Sequence, residues 1–245
     1  MAKHNEFIFS SIEHVLEEGI NALSSISDGI ETYPLNEYIM KSIFLKMTGF
    51  QEQKFKCIAW EMATEDYEFR RIFLNDFAKE GFSTYDSKQK LYKALMEILE
   101  RSEIPEEVRK TIVDEARNCI VNLIDDSKAK YWNEYKYNDF KGKIKSIVSY
   151  KNIARKSENK NKAVYNLLEN NVQIIYEKLY RSRNRLAHNT ISYQQNLPVF
   201  EEMETEEFGY NNYFVWFYLL VVIDKIMVRL YKEFCDTRVE LIELY

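Results

Sequence analysis

An all-α fold, a multi-helix bundle, is predicted by three features of the chain. Six Gly and three Pro in 245 residues are too few turn-formers for a β-sandwich or barrel, whose many tight turns require positive φ. Apolar residues recur at helical spacing along most of the length. An apolar content of 46 %, with 15 % aromatics, supports a sizeable core without disulfide or metal staples.

The elements follow in chain order. Ile8, Ile12, Val15, Leu16, Leu23 and Ile26 share one side of a first amphipathic helix that ends near Ser27-Asp28-Gly29. After a turn at Pro34, Asn36 is placed to cap a second helix carrying Tyr38, Ile39, Ile43, Phe44 and Met47, closed by Gly49. Helical patterning resumes from Phe50 to about Met62 and from Glu65 to Glu80, with Gly81 as C-terminal cap. Asp86 caps the helix of Leu91, Leu95, Ile98 and Leu99. Pro105-Glu106-Glu107 opens another through its restricted φ and the helix dipole, and that helix runs to about Ile124.

Between Lys130 and Tyr137 aromatics and bases alternate, and a basic helix around Ile144, Ile147 and Val148 follows. Residues 156–162 read as a solvated turn. Leu168, Ile175, Leu179 and Leu186 mark one side of a long helix. A loop with Pro198 and an acidic cluster from Glu201 to Glu207 leads into a very apolar helix from about Tyr210 to Phe234. Two regions result: a helical region over 1–127, either separate or continuous with the bundle, and a second over 128–245.

Net charge is −5, so the whole chain is no generic polyanion binder. The average hides a segregation. Residues 128–162 hold eleven Lys or Arg against three acids, a net +8, whereas 201–245 hold four bases against ten acids, a net −6. The Lys130 to Lys145 stretch therefore has two readings: an RNA platform of stacking rings and phosphate-following lysines, or half-buried packing aromatics under a solvated basic surface. The acidic 201–207 stretch is read as a solvated loop, with pairing to the basic region across a dimer, or occupation of the cleft, as alternatives.

Cys57, Cys119 and Cys235 are too widely spaced for a zinc pattern and odd in number for a disulfide framework, so they read as reduced thiols. The start of the chain, Met1-Ala2-Lys3-His4-Asn5-Glu6, lacks the pattern of a signal peptide. The longest apolar stretch, Tyr213 to Ile223, falls short of the roughly 20 residues of a membrane span. A cytoplasmic protein without membrane contact is expected. No glycine-rich phosphate loop, Ser-His-Asp order or HExxH motif is present, and Asp125-Asp126 diverge on a helix, so no metal site and no cofactor are expected.

One segment carries chemistry. Of three histidines, His4, His14 and His188, only His188 lies among arginines: Arg181, Arg183 and Arg185. RNA is cut without metal when a base takes the 2′-hydroxyl proton, a cation stabilises the phosphorane, and an acid protonates the 5′ oxygen. Imidazole titrates near neutral pH and guanidinium forks onto phosphate oxygens, so His and Arg suit these tasks. The bland alternative is a solvated helix end, its arginines favourable to the dipole and its His a polar cap.

Arg183-Asn184-x-x-x-His188 resembles the R-x4-6-H signature of HEPN domains, including the polar residue directly after the arginine, over roughly residues 162–234. That resemblance implies a HEPN-like C-terminal half with the motif at the end of a long helix. It implies a symmetric homodimer whose motifs face each other in one cleft, and RNA cleavage leaving a 2′,3′-cyclic phosphate. It also implies a role in phage defence or a toxin–antitoxin or abortive-infection system, with an antitoxin or defence-system protein as a further partner. Arg183, Asn184 and His188 then become the catalytic candidates, with Arg181, Arg185, Lys130 and Lys136 contacting RNA.

Helical geometry leaves the key arginine open. Arg181 is nearly eclipsed with His188 on an unbroken helix, whereas Arg183 is about 140° away; the following Asn favours Arg183, and unwinding before His188 would remove the phase objection. The alternative function is a catalytically silent HEPN-like dimerisation or partner-recruitment module.

Overall fold

The computed structural model describes residues 3–26, 29–77, 79–101, 103–157, 164–188 and 212–243. The fold is mostly helical, as expected, with one small two-stranded sheet. The first helical segment is broken in two, α1 (Asn5–Phe9) and α2 (Glu13–Ser24). Ser10 is the cause: its backbone is extended, its hydroxyl donates to the Phe7 carbonyl, and Ser11 Oγ accepts from the Glu13 amide. Such local side-chain bonds offer the backbone an alternative to the helical ladder. The expected end at Ser27-Asp28 lies outside the described residues.

The helix expected to stop at Gly49 instead continues. α3 (Tyr33–Glu65) is a single 33-residue rod with Pro34 in its first turn. Gly49 sits mid-helix in open space. An interior glycine costs only about 1 kcal/mol, less than the burial of Phe44, Met47, Phe55 and Ile58 on either side of it secures. Asp66 caps α4 (Tyr67–Ile72), which leads into a π-helical turn over Phe73–Phe77. The left-handed residue beyond it is Phe82, φ 55°, rather than Gly81. Thr84, two residues before the expected Asp86, caps α5 (Tyr85–Ile98), its hydroxyl accepting from the Ser87 amide.

α6 (Glu106–Asp125) starts at Pro105 as its sequence signals indicate. The short α7 (Ala129–Trp132) and then α8 (Glu134–Ile147) follow. The aromatics of this region divide by helical phase. Trp132 and Tyr137 are buried against Tyr213 and Phe214, whereas Tyr131 and Tyr135 are 65 % and 83 % exposed, so the packing reading holds for the first pair and not for the second.

The antiparallel hairpin of β1 (Ile153–Ser157) and β2 (Val164–Leu168) was not expected, and Leu168 belongs to it rather than to the next helix. Neither five-residue strand alternates apolar with polar residues, so the period-two signal of a strand is absent from the sequence. Its outer edge is covered by α5: Gln89 Oε1 accepts from the Leu167 amide at 2.7 Å, its Nε2 donates to the Tyr165 carbonyl, and Tyr85 Oη donates to the Leu168 carbonyl at 3.0 Å. Side chains thus occupy backbone groups that an open edge would offer to another chain. Of the 156–162 stretch read as a turn, Lys156 and Ser157 instead belong to β1 and residues 158–162 lie outside the described residues, as do Pro198 and the 201–207 acidic cluster.

α9 (Asn170–His188) and α10 (Tyr213–Glu243) are the last elements among the described residues. Every residue from Phe214 to Ile223 is buried, so α10 is apolar around its whole circumference there and is packed on all sides. Its neighbours are α3 and α6, with α5, α8 and α9. No described helix is long and apolar enough to cross a membrane.

Candidate active site

The site is built where α9 crosses α3 and α5. Val172, Ile175, Tyr176 and Leu179 form the buried stripe of α9, and continuing that phase by one turn from Leu179 brings Arg183 to the same face. There Arg183 meets α3. Its Nη2 lies 3.0 Å from Glu52 Oε1 and 3.1 Å from Oε2, and its Nη1 donates to Asn184 Oδ1 at 3.0 Å. The pair is largely sheltered, with side-chain exposures of 20 % for Arg183 and 13 % for Glu52. Such an ion pair is screened far less than a surface one.

Below this pair is Lys88 of α5, fully buried. Its Nζ donates to the Phe82 carbonyl at 2.7 Å and stands 4.6 Å from the Phe55 ring centroid and 5.7 Å from that of Tyr176. Tyr176 Oη in turn donates to the Ser83 carbonyl. Thr48, Gln51, Glu52, Lys88, Tyr176 and Arg183 line a cavity of about 10 Å³, room for at most a single water. Desolvation pulls the Lys88 ammonium down to about 7, opposed by the Glu52 and Asp224 carboxylates and aided by Arg183.

That shift has a measurable consequence. Below about pH 7 Lys88 is charged in folded and unfolded chains alike, whereas between about 7 and 10.5 the unfolded chain binds more proton. Stability therefore rises with pH across that window, by up to about 1.4 kcal/mol per unit from this group. Lys88→Met should flatten the rise. Denaturant unfolding of both proteins at pH 7, 8 and 9 measures it, and parallel pH dependences would refute the assignment.

The remaining predicted residues are distributed less compactly. His188 is exposed, and α9 runs unbroken through it, so the unwinding that would bring it into phase with Arg183 does not occur. Arg181 and Arg185 are exposed. By helical phase Arg181 shares the His188 side and Arg183 faces inward. Lys130 on α7 is tethered to the Asp125 carbonyl at 2.8 Å and lies over the Tyr131 ring. Lys136 on α8 is half-buried, its ammonium lowered by desolvation against the opposing influence of Glu37. Neither lysine lines the cavity beneath Arg183.

Glu52 and Lys88 were not singled out from sequence, although one signal was available. Lys88 stands three, four and seven residues before Leu91, Tyr92 and Leu95, a charge on an apolar stripe. The same holds for Lys54, four residues after Phe50 and four before Ile58, and for Asp224 within the apolar last helix; the two form a buried ion pair at 2.8 Å. The three cysteines are free and half-buried, and burial raises their thiols, Cys119 to about 12, with Glu13 adding to the effect. They are poor nucleophiles. Among the described residues no group of three or more His, Cys, Asp or Glu is arranged to hold a metal ion.

Comparison with family models, with curated proteins and with solved structures returned no match for this chain.

Proposed function

We propose that the chain is a metal-independent endoribonuclease of HEPN type, acting as a homodimer. The observation that carries this reading is a held guanidinium and an exposed imidazole within one R-N-x-x-x-H segment at the end of a core-packed helix. In the proposed reaction a base removes the 2′-hydroxyl proton and the 2′-oxygen forms a bond to phosphorus. Arg183 steadies the negative charge of the phosphorane. The P–O5′ bond then breaks, and an acid protonates the 5′ oxygen, leaving a 2′,3′-cyclic phosphate and a 5′-hydroxyl. His188 supplies the base or the acid. Because Arg183 and His188 diverge on a straight helix, the reading takes the imidazole from one protomer and the guanidinium from the other. Arg181 and Arg185, exposed on the same helix end, serve as phosphate contacts, and a defence or toxin–antitoxin setting with its partner protein belongs to the same proposal.

One observation favours the second reading, a catalytically silent dimerisation or recruitment module: Arg183 is already satisfied within the protomer by Glu52 and Asn184. The two readings part in a single assay. Purified protein incubated with total cellular RNA in EDTA should generate fragments with 2′,3′-cyclic phosphate ends. Intact RNA would favour the module, and cleavage abolished by EDTA and restored by magnesium would require a different mechanism.

A further inference from the structure

We propose that Glu52 is a positioning residue for Arg183, a role that rests on the ribonuclease reading. The geometry of the contact is the starting point. Both Glu52 oxygens address a single guanidinium nitrogen, Nη2, at 3.0 and 3.1 Å, and Asn184 takes Nη1 at 3.0 Å. A side-by-side fork would have consumed Nε together with an Nη. Here the Nε–H edge has no hydrogen bond among the described residues. Two of three nitrogens are thereby anchored while the Nε–H donor is kept in reserve.

The mounting is rigid. Glu52 lies in the interior of the 33-residue α3, flanked by buried Gln51, Lys54 and Phe55, and Gln51 Nε2 donates to the Leu220 carbonyl of α10 at 2.8 Å. Arg183, by contrast, is five residues from His188 near the exposed end of α9. The ion pair couples that helix end to the core, removing the rotamer freedom that a long arginine would otherwise lose on meeting substrate.

Charge also favours this role. Among the described residues Glu52 is the only carboxylate lining the small cavity, which Arg183 and Lys88 line as well. One negative charge holds the guanidinium without leaving a net negative field, so an incoming phosphate is not repelled.

The test compares wild type, Glu52→Gln and Glu52→Asp in cleavage kinetics, thermal melts and arginine guanidinium N–H NMR spectra. Glu52→Gln should lower kcat at least tenfold with KM changed less than about threefold, in keeping with the cost of small misplacements of a catalytic group. Glutamine keeps the volume and one acceptor for Nη2, so the variant's melting temperature should fall less than that of Arg183→Ala. Glu52→Asp should recover part of the loss. The Arg183 Nη–H signals should be separately resolved in wild type, where Glu52 and Asn184 hold both Nη groups, and averaged by rotation about Cζ–Nη2 in Glu52→Gln. A Glu52→Gln protein that cleaves as well as or better than wild type overturns the proposal while leaving the ribonuclease reading intact. A wild type that never cleaves removes that reading by itself. In that case loss of the ordered Arg183 signal in Glu52→Gln still supports Glu52 as the anchor, and an unchanged signal overturns it.

Discussion

His188→Ala is expected to reduce RNA cleavage by roughly 10²–10⁴-fold, the range of general acid–base participation, with little change in stability. The side chain is exposed at the last described residue of α9, so its removal opens no cavity. Arg183→Ala should lose activity on a comparable scale but also melt at lower temperature, because Glu52, 13 % exposed, is left without its guanidinium. This divergence in stability separates the two motif residues, which the kinetics alone do not. Arg183→Lys keeps the charge and loses the planar fork, so a large activity loss would point to oriented contacts rather than charge alone. Arg181→Ala should mainly weaken binding and flatten its salt dependence. Mixing inactive His188→Ala and Arg183→Ala chains tests the shared cleft, since a heterodimer regains one complete set of groups. Full cleavage by the His188→Ala homodimer would end the assignment and leave the interaction module in front.

The largest stability effect is expected at Lys54. Its ammonium, fully buried, donates to Asp224 Oδ2 at 2.8 Å and to the Ser10 carbonyl at 2.7 Å, the point where α1 and α2 separate. Lys54→Met leaves a carboxylate that is itself buried, and Asp224 Oδ1 already has no hydrogen-bond partner among the described residues. Breaking a buried pair from one side costs about 3–5 kcal/mol, whereas replacing both partners with apolar residues is often close to neutral. The double variant Lys54→Met with Asp224→Leu should therefore recover much of the loss.

Desolvation already raises the Asp224 carboxyl, with Lys54 opposing that rise, so removing the lysine raises it further. A folded pKa above the unfolded one means that the folded chain binds more proton and stability falls as pH rises. The Lys54→Met defect should thus be smaller at pH 5 than at pH 8, as read from denaturant midpoints at both. A loss below about 1 kcal/mol at pH 8 would show that the pair contributes little.

The helices were legible in sequence wherever an apolar stripe and a local end signal coincided. Pro105-Glu106-Glu107 marked the start of α6 because restricted φ and the dipole act within one turn. The run after Tyr213 marked α10 because burial on every side requires apolar residues on every side. Gly49 misled because its helical cost is small beside the packing of α3, an energy that resides in residues distant in sequence. The split between α1 and α2 was hidden for a similar reason: apolar spacing continues across Ser10, and only the serine hydroxyls and the docking of Lys54 onto the Ser10 carbonyl show the break.

The motif followed the same division. Sequence by itself determined the helical class, the clustering of His188 with Arg181, Arg183 and Arg185, and the delivery of that cluster to the end of a helix, since all three depend on neighbours within a few residues. Tertiary structure alone decided which way the cluster faces. It kept α9 helical through His188, turned Arg183 inward onto Glu52, 131 residues earlier in the chain, and set a buried Lys88 beneath the pair. No local rule joins α3, α5 and α9 at one point; their meeting follows from burying three apolar stripes together, and charged residues lying on those stripes acquire as partners whatever the packing brings opposite them.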